Sequence, residues 1–345
     1  MALTTALAWV FGTPVAVLFT TQILYVVANV TKNQYIDFYA RCAASFTALI
    51  VCATYGTIAS ACLNVVGYGG LGQWTTARSF KWTMLLFTGV WFEIEDPDSL
   101  LEGETWDKLR PAVLVGNHQT ELDVLFLGHL FPKYCSVTAK KSLMYMPFLG
   151  WFSESLSKAH RSPCKNPHVL TSRLFPTVAL SKTVFIERKS RSQAVAAFDH
   201  AAEQMHKNRQ PVYIFPEGTR SYYDRPDLLP FKKGAFHLAV QAQVPIVPVV
   251  VANYSNVLDV RRKLFRPGTI PVKVVSPIVT KGKTKEDVDA LVEQTRDVML
   301  SELKRITVTA REQGVALKDG EKVNGTAKSS GIEVDIAGGK ELNSR

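Results

Sequence analysis

Apolar and polar positions divide the chain into three regimes. No charged residue occurs before Lys32, and the apolar stretch 6–30 is long enough for a helix that crosses a bilayer, which takes roughly 20 residues. After Lys32, Asp37 and Arg41 a second uncharged run covers 42–77, most apolar between 43 and 66. Together they predict a membrane helical hairpin, kinked at Pro14, whose second arm either spans or re-enters. A cleaved signal peptide fits poorly, since it needs a basic start and a shorter apolar region. The stretch SFKWTMLLFTGVWF at 79–92 is too short to span. Its aromatics and Lys81 suit a helix lying at the membrane surface, and a core helix of the following domain fits equally well.

From residue 111 the pattern changes to short apolar runs alternating with amphipathic ones. AVLVG (112–116), YCSVTA (134–139), TVFIE (183–187), PVYIF (211–215), PIVPVVV (245–251) and IPVKVV (270–275) read as buried strands. Helical spacing covers 121–130, 192–207 and 232–243. A further helix carries Val288, Leu291, Val292, Thr295, Val298, Met299, Leu303 and Ile306 on one face, and starts at a Thr284/Asp287 capping box. Strand alternating with helix predicts an α/β fold, an αβα sandwich around a mostly parallel sheet, preceded by the membrane helical hairpin. The domain reading is 1–77 hairpin, 78–110 interfacial or linker segment, 111–313 main domain and 314–345 a polar, disordered tail.

Composition narrows the partners. A chain of 345 residues with net charge +10 suits nucleic acid, anionic lipid or a phosphorylated substrate, and the hairpin selects the lipid readings over nucleic acid. The five cysteines, Cys42, Cys52, Cys62, Cys135 and Cys164, form no CxxC pair and read as buried reduced thiols.

Two segments carry candidate chemistry. GNHQTELD follows the strand AVLVG and opens a helix, with Thr120 and Asp123 spaced as a capping box. His118 precedes the helix and Asp123 sits on its first turn, so the carboxylate can fold back onto the imidazole. A His held by a carboxylate is a general base suited to taking a proton from an alcohol. The plainer alternative is that Asp123 only caps the helix and His118 only satisfies a turn. No GxSxG elbow occurs, so a Ser-centred acyl-enzyme lacks its usual signature. The strand PVYIF runs into PEGTRS (216–221), where Arg220 can bind a phosphate bidentately. Glu217, with the Gly218 and Thr219 backbone, either holds Arg220 in place or accepts a substrate hydroxyl; an ordinary surface ion pair is the competing reading.

With these residues in view, the chain resembles the glycerophospholipid acyltransferases, in particular the 1-acylglycerol-3-phosphate (lysophosphatidic acid) acyltransferases. Four blocks match in family order: NHQTELD, FIER (185–188), FPEGTRS (215–221) and VPIVPVV (244–250). FPKYCSVTAKKSL and PFLGWF look especially like fungal members. The resemblance implies an enzyme in which His118 is the base on the free glycerol hydroxyl of lysophosphatidic acid, with Asp123 orienting it. It implies acyl-CoA as co-substrate, and no metal or other cofactor. Glu217, Gly218, Thr219 and Arg220 map to acceptor binding, with Arg188, Lys140 and Lys141 as further phosphate contacts. It also implies membrane lipids as partners and the endoplasmic reticulum membrane as location, with phosphatidic acid made for phospholipid and triacylglycerol synthesis. The positive excess of the main domain favours a cytosolic active site. Two rivals remain: the same chemistry on glycerol 3-phosphate or another lysophospholipid, and a non-catalytic membrane scaffold.

Several features depart from the family pattern or imitate other motifs. Glu187 stands where the family more often has Asp. The polar segment 153–178 separates GWF from FIER and reads as a surface insertion or unspliced coding sequence. Its His160, Cys164 and His168 lack a fourth ligand for zinc. GYGGLG (67–72) matches a dinucleotide string but follows a membrane helix and no strand. The sequons at Asn29, Asn253 and Asn324 sit at a bilayer edge, a strand end and a cytosolic tail, which makes them poor glycan acceptors.

Overall fold

The computed structural model describes residues 2–68, 71–137 and 201–312. Two long helices lead: α1 (Ala2–Thr31) and α2 (Gln34–Val65). Asn33 caps α2, its side-chain oxygen accepting the Tyr35 N–H at 3.0 Å. Among the described residues α2 is the helix long and apolar enough to cross a membrane, and 15–31 of α1 forms a shorter apolar stretch. Val15, Phe19, Ile23 and Val30 of α1, and Phe46, Ile58 and Val65 of α2, are exposed. Exposed apolar residues this dense need a nonpolar surrounding.

α3 (Gly72–Thr88) packs along α2. The expected third stretch is split: Gly89, at φ 69°, ends the helix in a left-handed cap, and β1 (Val90–Glu95) follows. α3 buries Phe80 and Met84 while exposing Trp82 and Leu86, so it serves as both a core helix and an apolar surface. The main sheet therefore begins well before residue 111, because β1 pairs in parallel with a strand near the far end of the chain. α4 (Gly103–Leu109), another element the apolar pattern missed, intervenes before β2 (Val113–Gly116).

The remaining elements are α5 (Asp123–Leu130), β3 (Ser136–Val137), a helical segment through 201–208, β4 (Val212–Ile214), α6 (Gly234–Gln241), β5 (Ile246–Val251), the short β6 (Leu258–Asp259) and β7 (Leu264–Phe265), β8 (Gly268–Val274) and α7 (Val288–Glu312). The expected Thr284/Asp287 capping box is present: the Asp287 carboxylate accepts the Thr284 N–H at 2.8 Å. The sheet order is β1-β8-β5-β2-β4-β3, parallel throughout except at the antiparallel β5–β8 junction, while β6 and β7 form a separate two-stranded ribbon. The expected strand 183–187, most of the expected helix 192–207, the insertion 153–178 and the tail 314–345 lie outside the described residues.

Strand alternation sorts the core into two layers. Leu114, Tyr213, Val247, Val249 and Val251 face α3 and α5, whereas Val113, Val115, Val212, Ile214, Ile246 and Val250 face α6, α7 and the 201–208 helix. Both faces are covered, as a largely parallel sheet requires. β2, β4 and β5 are adjacent and parallel, so their carboxyl ends deliver three loops to one place.

Candidate active site

The loop after β2 carries the base candidate. His118 Nδ1 lies 2.7 Å from Asp123 Oδ2, and Asp123 is fully buried while the imidazole keeps 22% exposure. The same carboxylate oxygen accepts the backbone N–H groups of Gln119 at 2.5 Å and Thr120 at 3.2 Å. An ionised carboxylate can only accept, so His118 Nδ1 carries the proton and Nε2 keeps its lone pair. Asp123 therefore closes the first turn of the loop as well as gripping the imidazole. The Thr120 hydroxyl completes the turn by accepting the Leu122 N–H at 3.2 Å, one position short of the N3 amide of an ideal capping box. The capping and catalytic readings of this segment coexist in one carboxylate.

Tyr254, just past β5, is the principal residue that sequence reasoning missed. Its hydroxyl donates to Asp123 Oδ1 at 2.7 Å and accepts the Thr120 N–H at 3.1 Å. With its single proton committed to Asp123, the contact with Thr120 Oγ1 at 2.9 Å runs from threonine to tyrosine. Burial, and then the charge of Asp123, push its phenol well above the ordinary range, which keeps the proton on the donor. The only prior signal was its position after an apolar strand, beside Asn253. That asparagine is buried and donates to Gln119 Oε1 at 3.3 Å and to the Tyr223 carbonyl at 2.9 Å, so this sequon holds the loop together. Asn117 and Gln119 fasten the same loop to β5: Asn117 exchanges two 2.9 Å hydrogen bonds with the Val251 backbone, and Gln119 donates to the Val251 and Ala252 carbonyls. Gly116 makes room for the Tyr213 side chain of the neighbouring strand, since a Cβ there would fall 1.6 Å from its hydroxyl.

The loop after β4 completes the site. Phe215 stacks on the His118 ring, centroids 4.2 Å apart and planes at 22°. Glu217 is buried; one of its carboxylate oxygens accepts the His118 N–H at 2.7 Å and the other the Leu229 N–H at 3.0 Å. It thus ties the two loops together, and does not hold Arg220. Burial raises its carboxyl to about 7 against the pull of those two amides. The loops are also joined by the Ser221 N–H to the His118 carbonyl at 3.0 Å and the Tyr222 N–H to the Gln119 carbonyl at 3.1 Å. Gly218 turns the chain at φ 69°, and Gly218, Thr219 and Arg220 are exposed. Arg220 is held by Glu121, whose same oxygen accepts the Tyr222 hydroxyl at 2.7 Å.

His118, Asp123, Glu217, Gly218 and Arg220 are thereby assembled at one end of the sheet. Lys140, Lys141 and Arg188 lie outside the described residues, as do Cys164, His160 and His168. Among the described residues no group of three or more His, Cys, Asp or Glu side chains could hold a metal ion. Cys52 and Cys135 are buried, Cys42 is half-buried, and Cys62 departs from expectation by being exposed on α2. What this arrangement can do is take a proton at His118 Nε2 beside an exposed guanidinium, with the base's charge balanced from behind.

The sequence matches the Acyltransferase family over residues 99–163 and 164–252. It is 38% identical over 269 residues to the 1-acyl-sn-glycerol-3-phosphate acyltransferase of Saccharomyces cerevisiae, covering 78% of each chain. With the human 1-acyl-sn-glycerol-3-phosphate acyltransferase beta it shares 33% identity over 302 residues, 86% of this chain and 95% of that one. The crystal structure of the 1-acyl-sn-glycerophosphate acyltransferase of Thermotoga maritima matches in fold, with a TM-score of 0.51 at 22% identity, over 84% of this chain and 97% of that one.

Proposed function

Because the chain belongs to the acyltransferase family that includes the yeast and human 1-acyl-sn-glycerol-3-phosphate acyltransferases, we propose that it moves an acyl group from acyl-CoA to the sn-2 hydroxyl of 1-acyl-sn-glycerol 3-phosphate, making phosphatidic acid. The observation that carries the reading is the 2.7 Å contact between His118 Nδ1 and the fully buried Asp123. His118 Nε2 takes the acceptor's hydroxyl proton as its oxygen attacks the thioester carbonyl carbon. The tetrahedral oxyanion then collapses, the C–S bond breaks, and His118 returns the proton to the departing CoA sulfur. No covalent acyl-enzyme forms. Asp123 fixes the tautomer and balances the imidazolium that exists between the two transfers. Glu217 acts as a positioning residue through the His118 backbone, while Arg220 and the exposed Gly218 and Thr219 backbone receive the acceptor's phosphate. The family resemblance adds Lys140, Lys141 and Arg188, outside the described residues, as further phosphate contacts.

The reaction belongs to phospholipid and triacylglycerol synthesis, at the cytosolic face of the endoplasmic reticulum membrane where acyl-CoA is available. The apolar α1 and α2 support the membrane part of this reading. The test is to assay membranes holding the chain with labelled acyl-CoA against lysophosphatidic acid, glycerol 3-phosphate and other lysophospholipids, beside His118→Ala. We expect turnover with lysophosphatidic acid and its loss in the variant. Equal turnover by His118→Ala would sink the mechanism, and turnover confined to another acceptor would reassign the substrate.

A further inference from the structure

Arg220 is not the only cation at the turn that follows β4. Lys232 belongs to a basic pair just before α6, and its backbone N–H donates to the Pro216 carbonyl at 2.8 Å, which ties it to the FPEGTRS turn. A Cβ placed on Gly218 would fall 2.6 Å from Lys232 Nζ, 2.9 Å from Cδ and 3.1 Å from Cε. The far end of this lysine therefore lies across the open face of the glycine. Its neighbour Lys233 points elsewhere, with Nζ 2.6 Å from Asp289 Oδ1 on α7. Lys232 is exposed and, among the described residues, has no carboxylate within ion-pair distance. The carboxylate of the turn itself, Glu217, is buried on two backbone amides.

We propose that Lys232 is a second phosphate-binding residue, which together with Arg220 clamps the phosphate monoester of the acceptor across Gly218. The proposal rests on the acyl-transfer reading and adds the residue that separates a phosphorylated acceptor from its dephosphorylated counterpart. A phosphate monoester carries close to two negative charges at neutral pH. Arg220 answers part of that charge while already paired with Glu121, and the ammonium of Lys232 supplies an uncommitted second cation. The two cations suit different tasks: the guanidinium gives a planar fork, the ammonium a compact charge that adapts to the remaining oxygens. Gly218 is then needed twice, for its left-handed φ of 69° and for the space the lysine occupies.

Phosphoryl groups could reach this turn from the acceptor or from CoA, and kinetics distinguishes them. Lys232→Gln, Lys232→Arg and Lys233→Gln are made in the full chain in phosphatidylcholine vesicles, and KM is measured separately for lysophosphatidic acid and acyl-CoA. Removing one charge-assisted contact raises KM for lysophosphatidic acid on the order of tenfold or more in Lys232→Gln. Little change is expected in kcat or in KM for acyl-CoA, with substantial recovery in Lys232→Arg and wild-type behaviour in Lys233→Gln. The same substitution in a His118→Ala background should weaken binding of lysophosphatidic acid itself, measured by vesicle-exchange titration. Unchanged acceptor KM and binding in Lys232→Gln, or an effect on acyl-CoA alone, overturns the proposal. Undiminished turnover by His118→Ala would instead refute the acyl-transfer mechanism and leave the binding result to judge Lys232.

Discussion

Replacing Tyr254 with Phe is the sharpest probe of how the base is held. The residue is 1% exposed, and the substitution keeps the ring, including its edge contact with Phe92 at 6.4 Å between centroids, while deleting one oxygen. That oxygen gives Asp123 Oδ1 its 2.7 Å hydrogen bond and accepts the Thr120 N–H, which retains Asp123 Oδ2 at 3.2 Å as a second acceptor. The loss is thus chiefly one charge-assisted bond, worth about 1.5–3 kcal/mol of stability. The catalytic effect has a definite sign. A carboxylate with fewer donors attracts the His118 Nδ1 proton more strongly, so the imidazolium is stabilised and the acid limb of the rate profile moves to higher pH. Because the Nδ1 contact itself survives, kcat on the alkaline plateau falls by no more than about tenfold. The assay is kcat against pH for wild type and Tyr254→Phe, beside their thermal unfolding. An unmoved acid limb with stability lowered by less than about 0.5 kcal/mol would show that Tyr254 does not govern the pair.

Other consequences follow from the same geometry. Glu217 has its folded-state carboxyl raised from 4.5 to about 7, so its contribution is fully present below about 4.5 and is lost as pH rises through about 7. That amounts to about 3 kcal/mol of stability lost between pH 5 and 8, and unfolding of Glu217→Gln across the range should lack this component. Glu121→Gln frees Arg220 from an exposed ion pair and should lower KM for lysophosphatidic acid by up to about fivefold, read by initial rates. Gly218→Ala puts a side chain at φ 69° and against Lys232, costing about 1–2 kcal/mol in unfolding and raising acceptor KM. Gly116→Ala places a methyl group 1.6 Å from the Tyr213 hydroxyl inside the sheet. It should destabilise by about 1–3 kcal/mol in thermal denaturation, and a smaller effect would mean that the Tyr213 ring can move aside.

What the sequence reveals of this molecule depends on how far apart the interacting residues lie. Helices and buried strands write themselves into local periodicity, so β2, β4, β5, β8 and α7 were legible from apolar spacing. β1 was not, because VWFEIE continues the apolar run of α3, and only the left-handed Gly89 separates helix from strand. His118 and Asp123 are five positions apart, within reach of motif reading. Tyr254 meets Asp123 across 131 positions and Glu217 meets His118 across 99. Those contacts exist because β2 lies between β4 and β5 in the sheet, and no local pattern encodes that adjacency. Nor can FKKG declare which lysine faces the turn; the ion pair of Lys233 with Asp289 decides it.

The strand order also divides the labour of the site. Asp123, Tyr254, Gln119 and Glu217 form a buried tier in which each polar group is held by another residue of the protein. Buried and bonded within the protein, they act chiefly through the position and proton affinity of His118. The imidazole, Arg220, Gly218 and Lys232 form the tier that solvent reaches. Substitutions in the buried tier should therefore alter kcat, its pH dependence and stability together; in the outer tier, loss of the imidazole removes turnover, while changes at Arg220 and Lys232 should alter acceptor KM with stability little changed. Gly218 is the exception, because its left-handed backbone belongs to the fold and its open face to the ligand. A buried-tier variant that raised acceptor KM alone would place the phosphate deeper than the turn and break this division.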